Sequence, residues 1–397
     1  MKKIHIKIII LLIGFFSSLL IKKEVSFAAG SYQYESCNVA QAVTGDWNND
    51  GISDIGVYYG GSWYLDKNNN GAWEGESVDT YISNFGKGFP TSCPVDNSSI
   101  GPEIAVGLWN YGSKNALKDN PFKITANKNY NIKNKDGAIV GQVSGGTATR
   151  VTYDGDSYLK AYDSISGTKS KKVFYFDAAD GDNSTLIFDV NRPDSTYDQY
   201  RGKIKIQYTD SSNLWVINTL PLEHYAWGAG EFTGTGAFEH TKTMSTIFRT
   251  YGYWYIKYAT KYNGYGFKIK SDSGNQIYRG YDWEKTYANV KKAAQETRGT
   301  IATYDNDVAL TPYSSWSDGR TRSYEERWGS TDYPWCKSVS DPYGKNSTMT
   351  TAQLEAAGNH MVGLIAHGSL HLADEHDWSY NKILKYYYTG ISLNPNY

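Results

Sequence analysis

Two stretches of the chain carry side chains of the right type and spacing to hold an ion. Asp46, Asn48, Asp50 and Asp54, with Gly51 at the sharp turn, place oxygens at alternate positions, the spacing by which a loop folds around Ca²⁺. Asp66, Asn68, Asn70 and Gly71, followed by Glu74, form a weaker copy. Neither ends in the Glu at position twelve of an EF-hand, since Val57 and Ser77 stand there, and an Asn/Asp-rich hairpin turn without an ion accounts for the same residues. Four of the seven histidines, His360, His367, His371 and His376, share one short segment, and the i, i+4 spacing of His367 and His371 would put two ligands on one helix face, with Glu375 or Asp377 as a third. That segment is not HExxH and Gly368 weakens its helix, so histidines that hydrogen-bond beside a cleft are the competing reading. Glu231 stands in the Gly-rich stretch Gly228-Ala229-Gly230-Glu231-Phe232, and taken alone it reads as a solvated loop residue.

The elements around these residues change character along the chain. From Lys203 to Thr209, Ile204, Ile206 and Tyr208 alternate with Lys203, Lys205 and Gln207, the period of a half-buried strand; Phe174-Tyr175-Phe176 and Leu186-Ile187-Phe188 are similar apolar runs. After Gly236 the period becomes helical, with Met244, Ile247, Phe248, Tyr251 and Tyr255 on one stripe. Trp283, Tyr287, Val290 and Ala294 trace a second helix ended by Gly299, Thr350 to Gln353 is a capping box opening a third, and Ser379 to Tyr387 is a fourth. Strands first and helices later indicate an α+β domain. The polar stretch from Tyr111 to Asn120 is the expected boundary between it and a small all-β module, giving residues 30–112 and 120–397.

The 397 residues include Lys+Arg 40 against Asp+Glu 41, so no basic excess suggests nucleic acid as a partner. Tyr 35, Trp 12 and Phe 13 give an aromatic content of 15%, which suits stacking on sugar faces. Lys2, Lys3 and Lys7 precede an apolar run from Ile8 to Ile21, and Ser26-Phe27-Ala28 offers a signal peptidase site. Residues 1–28 are therefore expected to be a signal peptide, or else an uncleaved anchor, and the mature protein to be extracytoplasmic. Cys37 and Cys93 would close a disulfide there, leaving Cys336 free; three buried thiols are the alternative.

The sequence from Pro221 to Tyr255 resembles the SpoIID/LytB family, the stage II sporulation protein D and amidase-enhancer group. Pro221-Leu222-Glu223, Tyr225 and Gly228 match its P-L-E-D-Y-L-x-G opening, Glu231 takes the place of the Glu in S-E-M-P, and Arg249-Thr250-Tyr251 matches R-T-Y. Gln276 to Tyr281 fits Q-x-Y-x-G-Y, and Ser315, Ser317 and Gly319-Arg320-Thr321 fit S-x-S-G-G-R-T. His360, Gly363 and Gly368 follow on the G-H-G-V-G-M-S-Q-Y-G frame, with Ile365 and Ala366 in place of Ser-Gln. The resemblance implies a SpoIID-like α+β domain acting on peptidoglycan glycan strands. Its sporulation members are lytic transglycosylases and its enhancer members modulate wall amidases, so an amidase is a possible partner. It makes Glu231 the catalytic acid, and Arg249, Tyr251, Tyr278, Ser315, Ser317, Arg320 and His360 the substrate-binding set; Trp227 and Phe232, near Glu231 in sequence, are expected to supply the apolar wall that keeps it protonated. Some members hold zinc just before Q-x-Y; Lys270 to Asn275 has no Cys or His, and no zinc is expected there. The Asp46 region resembles FG-GAP-type calcium-binding repeats, with a degenerate copy at Glu103 to Val106.

Overall fold

A computed structural model describes residues 41–45, 54–59, 62–66, 80–83, 100–193, 195–210 and 212–395. The chain divides into two units at Ser98/Ser99. Described parts of the first unit are four strands, Gln41–Gly45, Asp54–Tyr59, Ser62–Asp66 and Thr80–Ser83, paired antiparallel in chain order. Asp54 pairs with Gly45, and Asp66 with Ile55. Asp46, Asn48, Asp50, Asn68 and Asn70 lie outside the described residues, as do the leader segment, Cys37 and Cys93.

In the second unit the expected boundary is overturned. Glu103–Asn110, read as a degenerate calcium repeat, is an inner strand of a seven-stranded sheet, paired along its length with Asn213–Pro221. Ile104, Val106 and Leu108 are buried at alternate positions, so this run belongs to the core of the second unit. The polar stretch after it forms a helix, Lys114–Asp119, capped by Ser113, whose hydroxyl accepts the Ala116 N–H at 3.1 Å, and anchored by buried Leu117. The rest of that sheet runs through Lys203–Asp210, Val173–Ala178, Tyr130–Lys133 and Ile139–Val143, and a six-stranded antiparallel sheet holds Thr149–Tyr153 and Phe122–Ala126 at its centre, with Ile187–Val190 beside Phe122–Ala126. Ile204, Ile206 and Tyr208 are buried, as their alternation requires.

Helices occupy the C-terminal half. Phe238–Tyr258 is the longest, 21 residues, and buries Met244, Ile247 and Phe248. The second expected helix is two, Gly280–Thr286 and Ala288–Glu296, because the Tyr287 backbone leaves helical geometry at ψ 71. Thr351–Ala356 carries both halves of the capping box, and Tyr380–Tyr387 starts at the Ser379 cap. Gly368 does not prevent a helix over Ala366–Asp374: a methyl there would lie 2.1 Å from the Tyr387 hydroxyl, so glycine lets this helix approach its neighbour. No described helix is long and apolar enough to cross a membrane.

Candidate functional site

The inner strand Asn213–Pro221 leads into a short helix, Leu222–Trp227, and then into the Gly-rich segment. That segment runs antiparallel to Gln276–Arg279: Gly230 N–H donates to Ile277 O at 2.8 Å and Arg279 N–H to Gly228 O at 2.9 Å. The pairing brings the Ile277 N–H to Glu231 Oε1 at 2.7 Å. The Tyr313 hydroxyl, on the strand Tyr313–Ser314, also donates to this carboxyl.

A chain of polar groups fixes Tyr313. Tyr225 O–H donates to Gln276 Oε1 at 3.0 Å, and Gln276 Nε2 donates to the Tyr313 oxygen at 3.2 Å. With its oxygen so occupied, Tyr313 has its proton free for Glu231. Tyr251 and Tyr255 stack at 4.8 Å, share a 3.1 Å hydroxyl contact, and Tyr255 accepts Asn275 Nδ2 at 3.0 Å. Tyr225, Tyr251 and Tyr313 all feel the Glu231 charge. Burial among them raises the Glu231 pKa above the ordinary glutamate value, against the Tyr313 and Ile277 hydrogen bonds, which favour the carboxylate. The arrangement is a single carboxyl, partly buried and kept protonated further toward neutral pH than a solvated one, which suits a general acid.

The apolar wall expected from Trp227 is not there. Trp227 packs against His224, ring centroids 4.4 Å apart and tilted by 47°, with Lys291 and Arg201 against its ring, and Phe232 is buried with its carbonyl accepting Trp283 Nε1 at 3.1 Å. Tyrosines surround Glu231 instead. Gln276 and Tyr225 fell on matched motif positions, whereas Tyr313 lies just before the Ser315 match and carried no signal.

Several expected substrate contacts turn out to hold the fold. Arg249 is fully buried and makes a two-bonded pair with Glu223, so the helix that carries it cannot present it to a ligand. Tyr278 is 1% exposed and its hydroxyl donates to Asn218 Oδ1 at 3.0 Å. Ser317 is buried and donates to Asp341 Oδ2 at 2.6 Å. Arg320 is exposed but engaged by Glu326 at 2.7 and 3.0 Å. His360 accepts the Val362 N–H on Nδ1 at 3.0 Å beside Trp328, and burial lowers its pKa to about 4. Within the expected set, Tyr251 feels the charge of Glu231. Ser315 is exposed, and its carbonyl accepts the His367 N–H at 3.2 Å.

The rings of the histidine segment go to separate partners. His367 stacks on Trp316 at 3.5 Å, while His371 and His376 stack on each other at 5.4 Å. Among the described residues no three His, Cys, Asp or Glu side chains come together as metal ligands. Cys336 is buried and free, with burial pushing its thiol pKa up.

Known proteins resemble part of this chain. A Bacillus subtilis (strain 168) protein named amidase enhancer is 30% identical over 94 residues, 23% of this chain and 13% of its own length. An uncharacterised protein of Brachyspira hyodysenteriae (strain ATCC 49526 / WA1) is 30% identical over 134 residues, 33% of this chain and 35% of its own. The matches thus span a minor part of each relative. Residues 210–304, the stretch that carries Glu223, Glu231, Arg249 and the Gln276–Arg279 segment, match the SpoIID family model, described as stage II sporulation protein.

Proposed function

We propose that this protein acts on peptidoglycan strands as a lytic transglycosylase with Glu231 as its acid and base. The observation that carries the reading is the lone Glu231 carboxyl, its pKa raised by burial among tyrosines. Glu223, eight residues earlier, is neutralised by Arg249 and takes no part. Hydrolysis of a glycoside ordinarily needs two free carboxyls; intramolecular attack needs one. Glu231 would give its proton to the bridging oxygen as the bond from muramyl C1 to that oxygen breaks. The muramyl 6-hydroxyl then bonds to C1 and returns its proton to the carboxylate, leaving a 1,6-anhydro end and consuming no water.

The name of the Bacillus relative supports a second reading, a wall-binding enhancer of an N-acetylmuramoyl-L-alanine amidase. Incubating the full chain with purified glycan strands and weighing the products by mass spectrometry separates the two. Anhydromuramyl ends, one water lighter than hydrolysed ends, are expected. Pelleting with the wall without products would leave the enhancer, and hydrolysed ends would reject the one-carboxyl mechanism.

In either case the protein is proposed to work outside the cytoplasm, with Ca²⁺ held by the Asp46 loop as a structural ion. Chelation is expected to lower the melting temperature of the first unit, and Asp46→Ala with Asp50→Ala to abolish that response; a calcium response that survives both changes would place the ion elsewhere.

A further inference from the structure

Ile277 serves two places. Its N–H holds Glu231, and it lines a cavity of about 580 Å³ together with Arg192, Tyr197, Ser271 and Arg279. The Arg279 guanidinium lies over the rings of Tyr197 at 4.5 Å and Trp283 at 4.8 Å. A methyl on Gly230 would sit 2.5 Å from Arg279 Cγ, so the backbone leading into Glu231 rests directly on the arginine stem. Arg192 donates to the Tyr200 hydroxyl at 2.6 Å and to Ser271 Oγ at 3.2 Å.

Both arginines are partly buried, and among the described residues neither meets a carboxylate. Two acids of the neighbouring helix are engaged elsewhere: Asp282 accepts the backbone N–H groups of Asp198 and Gln199 and pairs with Lys285, and Glu284 pairs with Arg201 and Lys291. Tyr200 and Ser271 use two of the five N–H donors of Arg192, and ring stacking uses none of those of Arg279. Two cations that meet no carboxylate among the described residues, fixed by rings and hydroxyls beside one cavity, suit a planar anion that accepts several hydrogen bonds.

We propose that Arg192 and Arg279 form a carboxylate subsite next to Glu231, and that it distinguishes muramic acid from glucosamine in the strand. The inference rests on the peptidoglycan reading above. N-acetylmuramic acid differs from N-acetylglucosamine by a lactyl ether that ends in a carboxylate. In strands that keep their stem peptides this group is an amide, and the free carboxylates lie along the peptide. The shared chemistry is the carboxylate, and the two sources are separable.

The test measures binding of the full chain to four glycans: strands freed of stem peptides, the same strands with their carboxyls reduced to alcohols, peptide-bearing strands, and chitin oligosaccharides. Tenfold or greater weakening on carboxyl reduction is expected for the native protein, and Arg192→Gln and Arg279→Gln should each remove most of that difference without changing chitin binding. Loss confined to peptide-bearing strands would assign the pocket to the stem peptide carboxylate. Equal binding of reduced and unreduced strands by the native protein overturns the subsite, and this arm needs no variant to fold. Equal losses on chitin would show that the arginines only hold the structure. If the native protein bound no muramyl strand at all, the peptidoglycan reading itself would fall, and the subsite with it.

Discussion

Arg249 Nε meets Glu223 Oε1 at 2.8 Å and Arg249 Nη2 meets Glu223 Oε2 at 3.0 Å, inside a site that admits no water to either side chain. The pair fastens the short helix Leu222–Trp227 to the long helix Phe238–Tyr258, so the two ends of the loop that carries Glu231 are clamped together. Further bonds complete it: Arg249 reaches the Ala294 and Thr300 carbonyls and Thr297, and Glu223 Oε1 accepts the Gly299 N–H at 2.8 Å. Breaking one side of such a pair strands the other charge, at a cost of about 3–5 kcal/mol. Arg249→Met is therefore expected to lower the unfolding free energy, measured by denaturant titration, by that amount, and Arg249→Met with Glu223→Leu to recover part of it. A variant of native stability that had lost only glycan binding would return Arg249 to the ligand.

Much of this arrangement was legible in the sequence. The Glu223, Glu231 and Arg249 positions stand out because their motif order is ungapped, and the strand at Ile204 and the helix at Met244 because their periods are clean. Their roles were not legible. An arginine within a helix gives no sign of whether it meets solvent or a glutamate 26 residues earlier, because that depends on how two helices pack. Tyr313 was missed for a related reason: it reaches Glu231 across 82 positions of chain, through a two-residue strand. The boundary at Tyr111 failed because local polarity marks a surface helix as readily as a linker, whereas the strand pairing of Glu103–Asn110 is decided more than a hundred residues away.

Glu231 should be a stability liability as well as the proposed acid. Its folded pKa lies above the unfolded value, so its contribution to stability is fully present below the ordinary glutamate range and is lost as pH rises through the raised value. Glu231→Gln keeps the shape and never ionises. Its melting temperature is expected to equal that of the native protein near pH 4 and to exceed it near pH 7, while release of anhydromuramyl ends disappears. Melting curves that differ equally at both pH values would show that the carboxyl is not held in a protonating environment.

Histidines act in the opposite direction. Burial lowers the pKa of His224 to about 3 and that of His240 to about 4, and His240 Nδ1 lies 3.0 Å from Ser369 Oγ. A depressed histidine stabilises the fold above its unfolded pKa, near 6.5, and that stabilisation is lost as pH falls, since the unfolded chain takes up a proton that the folded one refuses. Each contributes a slope of up to about 1.4 kcal/mol per pH unit below pH 6. His240→Asn, which can keep the contact to Ser369, is expected to flatten the pH dependence of the unfolding free energy by that slope between pH 6 and 5. An unchanged slope would mean that His240 titrates normally.

Tyr313 offers the sharpest test of how the site is tuned. Its hydroxyl donates to Glu231, and a hydrogen bond to a carboxylate favours the charged form, so this contact opposes the effect of burial. Tyr313→Phe removes the donor while keeping the ring, and the Glu231 pKa must rise further. Because the leaving oxygen needs the protonated acid, the basic limb of kcat/KM should move to higher pH; a hydrogen bond worth about 1 kcal/mol corresponds to about 0.7 of a pH unit. A limb that moved down would mean that the hydroxyl serves the neutral acid instead. The shift can also be read without turnover. The pH at which the melting curves of Tyr313→Phe and of Tyr313→Phe with Glu231→Gln begin to separate reports the same ionisation, and it should lie above the pH at which the native protein and Glu231→Gln separate. Coincident values would remove Tyr313 from the tuning of Glu231, whether or not the protein cleaves glycan.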